Sequence, residues 1–154
     1  MRSSCLWQAC GMGDHLSKAG RSRVMAAIRA TNTKPELAVR HMLRSLGATG
    51  YRVHVRDLPG KPDIAFSRWK VAVFVDGAFW HGHPEHFNSD TAAPYWRDKI
   101  RRTRERDRLA NDGLAELGWR CLRFWDFQIE TDCLAVAEAI ILELRRAGWS
   151  SQDD

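Results

Sequence analysis

The sequence predicts a single α/β domain in which a mixed sheet is flanked by helices. Three observations carry this. Apolar residues recur at helical spacing in two early segments, switch to strand-like patterns between residues 51 and 75, and then give helix, strand and helix again, so that the order reads α, α, β, β, β, α, β, α. The 71–75 stretch is continuously apolar, as in a central strand covered on both faces. The chain of 154 residues suits one compact core, and no internal repeat or low-complexity linker marks a second domain.

Taken in order, residues 1–13 show little periodicity and are expected to form a disordered extension; they lack the basic and apolar regions of a signal peptide. Residues 15–30 read as a short basic helix with Val24, Met25 and Ile28 as its apolar contacts. Thr31-Asn32-Thr33 breaks it, and a second helix starts where Thr33 and Glu36 have capping-box spacing and Pro35 falls in the first turn. Leu37, Val39, Met42, Leu43 and Leu46 form its stripe until Gly47. Tyr51, Val53 and Val55 then alternate with Arg52, His54 and Arg56, as in a half-buried strand with the polar residues outward. A turn at 58–62, a short strand at 63–66 and a hairpin connection at 67–70 lead into the central strand. Pro94 precedes a long helix over 95–117 that Gly118 ends; a strand over 119–125, a helix over 132–147 and a polar tail over 148–154 follow. The folded domain is placed at 14–147.

The net charge is +5, and its distribution says more than its size. Residues 97–108 hold seven basic side chains against Asp98, Glu105 and Asp107. Such a run is either a solvated helix face with ion pairs such as Arg101 to Glu105 or a phosphate-contacting helix, and charge alone does not separate the two. None of the four cysteines forms a C-x-x-C pair, so free thiols in a reducing cytoplasm are expected in place of a disulfide or cysteine-rich zinc framework. No apolar stretch approaches the roughly 18 residues that span a bilayer.

The chemistry concentrates between Asp63 and His83. Pro59-Gly60-Lys61-Pro62-Asp63 sets a carboxylate at the mouth of a strand after a rigid loop, and the central strand ends in Val75-Asp76-Gly77. Neighbouring strands ending this way would bring Asp63 and Asp76 together, with oxygen ligands of the kind Mg²⁺ prefers. The plainer alternative is that Asp63 caps its turn and Asp76-Gly77 is an ordinary turn pair. The segment from Phe79 to Phe87 adds Trp80 and three histidines, His81, His83 and His86, a composition that core packing does not explain. It fits a zinc cluster on the H-x-H-x-x-H spacing, or an acid–base histidine beside aromatics that wedge between bases.

Those stretches, with Val73 through Gly82, Tyr95-Trp96-Arg97-Asp98-Lys99-Ile100, Arg104-Glu105-Arg106-Asp107 and Leu117-Gly118-Trp119-Arg120, resemble the Vsr (very short patch repair) mismatch endonucleases. Arg21 to Ile28 and Thr33 to Glu36 fit the family's N-terminal helices, and the resemblance runs over about residues 14–147. It implies a restriction-endonuclease-like, PD-(D/E)xK-type core and Mg²⁺-dependent nicking of duplex DNA beside T·G mismatches left by 5-methylcytosine deamination. By resemblance Asp63 is the catalytic metal-binding aspartate, His81 the general base and Glu36 an active-site glutamate, a role that competes with its helix cap. Phe79, Trp80 and Trp96 match intercalating aromatics, while Met25 and Lys99 match residues near the mismatched pair. Duplex DNA is the implied partner of a monomer, with mismatch-repair proteins as further candidates and the nucleoid-bearing cytoplasm as the place of action.

The departures are informative. Ala78 and Phe127 occupy positions where such proteins carry cysteine ligands to a structural zinc; with two ligands gone, no structural zinc is expected and packing is expected to replace it. His83 matches a remaining ligand position. Val75 and Asp76 replace a threonine and a histidine, leaving the Val75 carbonyl and the Asp76 carboxylate as metal ligands beside Asp63. Thr103 replaces an asparagine linked to mismatch contact, which puts T·G preference in question and leaves hydrolysis untouched. The rival readings are a nickase of other mismatched, hemimethylated or unmodified duplexes, a zinc hydrolase built on His81, His83 and His86, and a DNA-binding module without catalysis.

Overall fold

The computed structural model describes residues 31–85, 87–90 and 92–151. The expected extension, the 15–30 helix with Met25, His86 and the last three residues of the tail lie outside the described residues. The elements are α1 (Lys34–Ser45), β1 (Arg52–Val53), β2 (Ile64–Phe66), β3 (Val71–Asp76), α2 (Pro94–Glu116), β4 (Arg120–Trp125), α3 (Asp126–Thr131) and α4 (Cys133–Arg146). Four strands form one sheet in the order β1-β2-β3-β4, antiparallel up to β3 and parallel between β3 and β4. α2 makes that parallel crossover, as parallel neighbours require.

Strand parity decides which side chain meets which helix. Val71 and Val73 turn towards a core with Val39 and Leu43 of α1 and Ile140 and Leu144 of α4, all fully buried. Ala72 and Phe74 turn the other way, onto Leu114 of α2. Asp76, two residues after Phe74, shares the α2 side, and on β4 Cys121 and Arg123 do likewise. α2 answers with a stripe of buried Ile100, Thr103, Ala110 and Leu114 that has Asp107 inside it.

Three expectations need correcting. The strand predicted over 51–55 is only two residues long, because His54 takes the left-handed conformation (φ +49°). Backbone pairing continues, with the His54 and Val55 N–H groups donating to the Asp63 and Pro62 carbonyls. The pleat is lost, however: Val53 is exposed, Val55 is buried, and the His54 ring turns in towards Asp63. The helix α3 was not foreseen; six residues are too few to show a period, and Gln128 stabilises its start by accepting from the Trp125 N–H. Trp149, expected in a polar tail, is 3% exposed and packs in the main core.

Candidate active site

The site lies where β2, β3 and β4 meet the loop after β3, and it has two halves. In the first, Asp63 opens β2 and its Oδ2 accepts from the Val75 N–H at 2.8 Å, tying β2 to the end of β3. Oδ1 faces His54 Nδ1 at 3.8 Å, and His54 Nε2 lies 3.6 Å from Glu36 Oε2. Glu36 is 3% exposed. The helix cap does not take it away from the site: its carboxylate accepts from the Thr33 hydroxyl and the Asn32 N–H and also stands near His54 and Asp63. Burial, opposed by the Val75 hydrogen bond and reinforced by the negative charges of Glu36 and Asp76, raises Asp63 to about 7.

The second half is built on α2. Asp76 is held at both oxygens by Arg123 Nη1 (3.0 and 2.8 Å), and the same nitrogen stands 3.4 Å from Asp107 Oδ1. Asp107 Oδ2 is 2.6 Å from His81 Nδ1, with Asp76 Oδ1 3.7 Å from that nitrogen. Asn111, one turn along α2 from Asp107, accepts from Arg123 Nε at 2.9 Å and fixes the guanidinium. Burial is the largest single influence on His81 and lowers it. The Asp107 hydrogen bond and the Asp76 and Asp107 charges together prevail over burial and Arg123, leaving the imidazole above its ordinary value.

A tight loop delivers His81. Its N–H donates to the Gly77 carbonyl, those of Gly82 and His83 donate to Phe79 and Ala78, and Arg104 donates to the carbonyls of His81 and Gly82. Gly82 has φ +73°, and a Cβ there would stand 2.5 Å from Ile100 Cγ2, so this turn is open only to glycine. The loop is anchored on α3 by the Ala78 N–H donating to Asp126 Oδ1. At the position matching a zinc ligand, His83 packs edge-on against Trp125 and Phe127, with centroids 4.9 and 5.1 Å away.

Beside His81 opens a cavity of about 820 Å³, lined among others by Lys61, Trp80, Lys99, Thr103, Arg106 and Asp107. Of the three aromatics, Phe79 is buried as the base on which Trp80 and Trp96 both rest edge-on, tilted to each other, and those two are half-buried with Lys99 over their rings. Thr103 is buried, its hydroxyl donating to the Lys99 carbonyl and accepting from Arg106. The basic helix divides its charges between ion pairs and the cavity wall. Arg101 pairs with Asp98 and Arg108 with Glu105 and Asp112, rather than Arg101 with Glu105, while Lys99 and Arg106 face the cavity.

The residues are thus partly redistributed. Asp63, Asp76, His81 and Glu36 do converge, but Asp76 lies on Arg123 instead of sharing a ligand set with Asp63. Among the described residues, the group able to hold an ion is Glu36, His54 and Asp63. His81 and His83 do not join it: His81 pairs with Asp107, and His83 packs on Trp125 and Phe127. Two carboxylates and an imidazole with no lysine or arginine paired to Asp63 among the described residues suit a divalent cation. The sequence reading missed His54, Arg123 and the direct role of Asp107. For the last two a signal existed: an arginine facing inward on β4 and an acid within the buried stripe of α2.

The sequence profile of the family described as DNA mismatch endonuclease Vsr matches residues 13–86. The Type II nicking enzyme V.NaeI of Lentzea aerocolonigenes is 41% identical over 141 residues, covering 88% of this chain and 85% of its own length. The chain belongs to the Vsr family. Its relatives there include the Type II nicking enzyme V.HpaIIP of Haemophilus parainfluenzae, 36% identical over 87% of this chain and 94% of that protein. The DNA mismatch endonuclease Vsr of Escherichia coli is 36% identical over 75% of this chain and 74% of its own. This Vsr-family chain is therefore a DNA endonuclease with the restriction-endonuclease-like fold, its mixed sheet flanked by helices on both faces. Among the described residues no helix is long and apolar enough to cross a membrane.

Proposed function

We propose that this protein nicks one strand of duplex DNA at T·G mismatches produced by deamination of 5-methylcytosine, with Mg²⁺ as its cofactor. The observation that carries this reading is the His81–Asp107 pair, 2.6 Å apart, set beside a cavity walled by Trp80 and Lys99, with Asp76 between it and the charge of Asp63. Asp63 and the Val75 carbonyl would hold the ion, with Glu36 beside them. When bound, the ion supplies charge neutralisation at the scissile phosphate and makes a water more acidic.

The chain's own groups do the rest. With Asp107 holding Nδ1–H, His81 presents Nε2 to take a proton from the attacking water; the water oxygen bonds to phosphorus as the bond to the leaving ribose oxygen breaks. The reaction is direct hydrolysis without a covalent enzyme intermediate. Asp76 and Arg123 position Asp107 and His81 and take no part in holding the ion. Trp80 and Trp96 act as wedges beside the mismatch, and Lys99 and Arg106 neutralise phosphate.

Nicking of a duplex panel, matched and mismatched, in several cytosine contexts with and without Mg²⁺ tests this. The T-bearing strand of T·G duplexes is expected to be cut only with metal and only by the wild type, not by Asp63→Ala. Equal cutting of matched duplexes would support the broader nickase, and binding without cutting would support the non-catalytic module.

A further inference from the structure

We propose that His54 is a third side-chain ligand of the metal site, and that this site consequently favours a first-row transition-metal dication over Mg²⁺; the inference rests on the metal-dependent reading above. Mg²⁺ takes oxygen ligands, whereas an imidazole nitrogen adds affinity for the Mn²⁺-to-Zn²⁺ series. One ligand atom from each of Glu36, His54 and Asp63 lies within 4.8 Å of the others. Ligands opposite each other on an ion with bonds near ~2.1 Å stand about 4.2 Å apart, so a sub-ångström closing of the side chains puts all three on one ion.

Ligand capacity remains on each group. Asp63 Oδ2 is used by the Val75 N–H, while Oδ1 faces His54. Each Glu36 oxygen accepts one hydrogen bond and keeps a lone pair. On His54, Nδ1 looks to Asp63 while Nε2 lies 3.4 Å from Asn32 Oδ1, which Arg40 Nη2 holds at 2.6 Å. A ring whose second nitrogen donates to a fixed oxygen is the usual support of a metal-bound histidine. The backbone points the same way. At φ +49° His54 leaves the strand's alternation, and that departure is what turns an outward side chain into the site. A hydrogen bond to Asn32 alone would not require the ring to stand between two carboxylates.

The test is metal binding without DNA, so it stands apart from whether the protein nicks. Free Mn²⁺ is followed by electron paramagnetic resonance during titration of the wild type and His54→Asn, with Mg²⁺ as competitor. Asparagine tolerates the left-handed backbone but cannot reach the ion. The Mn²⁺-over-Mg²⁺ preference is expected to fall about tenfold in the variant, with Mg²⁺ affinity nearly unchanged. An unchanged preference would overturn the proposal. Tighter Mn²⁺ binding by the variant would overturn it too, marking His54 as a cationic bridge. Should the variant fail to fold, ¹⁴N modulation in the pulsed spectrum of Mn²⁺-loaded wild type decides: imidazole coupling is expected, and its absence contradicts the proposal.

Discussion

The two halves of the site carry similar carboxylates and solve the problem of burying them in opposite ways. Around His81, Asp76 and Asp107 share one guanidinium, Arg123, so charge is balanced within the fold and the histidine is oriented before substrate arrives. Around Asp63, two carboxylates face each other across an imidazole, and burial drives the aspartate up to about 7. One half is balanced within the chain; the other, under the proposed function, is the half that a cation would complete. The difference teaches that the position of a single arginine, on β4 rather than near β2, leaves one carboxylate cluster neutralised and the other without a paired arginine among the described residues.

The sharpest way to break that contrast is at Asp63. Asp63→Asn is expected to cut nicking by at least about 10³-fold, yet to stabilise the metal-free fold at pH 8 by a few kcal/mol. Because the carboxyl is raised in the folded state, the folded protein holds more protons than the unfolded chain between its ordinary value of 3.8 and about 7. Wild-type stability without metal therefore falls as pH climbs through that window, the variant's does not, and divalent cation restores it. Urea unfolding with a chelator at pH 5 and 8 measures this. Next comes His81→Ala, expected to lower nicking by about 10²–10⁴-fold with metal affinity unchanged, as read by nicking rates and Mn²⁺ titration.

Arg123→Met probes the balanced half. It strands Asp76 and Asp107 together, and a loss of about 3 kcal/mol in denaturant unfolding is expected. Adding Asp76→Asn should return part of that, whereas the same asparagine alone should cost more than it does beside Met. The smallest effect is expected at Gly82. Gly82→Ala meets both a positive φ and Ile100, costing about 1–3 kcal/mol and displacing the His81 loop, seen as a lower melting temperature and a lower rate at saturating metal.

Much of the chemistry was legible because it sits in compact motifs. Asp63 follows a rigid turn and His81 lies in a glycine-bounded aromatic run; the first is tied to the end of β3 and the second sits on the loop that leaves it. Glu36 was legible as a cap and as a candidate site residue; it makes the cap bonds and stands beside His54 and Asp63. What escaped was anything set by three-dimensional pairing. Arg123 looked like one more charge in a strand until β4 was seen beside β3, where Asp76 and Arg123 share a face. Asp107 was hidden among seven basic neighbours of α2. His54 was misread because strict alternation sends it outward, and only a backbone conformation that sequence does not announce turns it in.

The division of labour is tested most directly by nicking rates over a grid of Mg²⁺ concentration and pH for Asp107→Asn against wild type. His81 is raised by its acidic neighbours, so wild-type activity should climb with pH through a midpoint above the ordinary 6.5, as the imidazole loses its proton. In the variant the rate should fall and that midpoint should move to lower pH, while the Mg²⁺ concentration for half-maximal rate stays put. A shifted metal requirement with an unmoved pH midpoint would contradict the account.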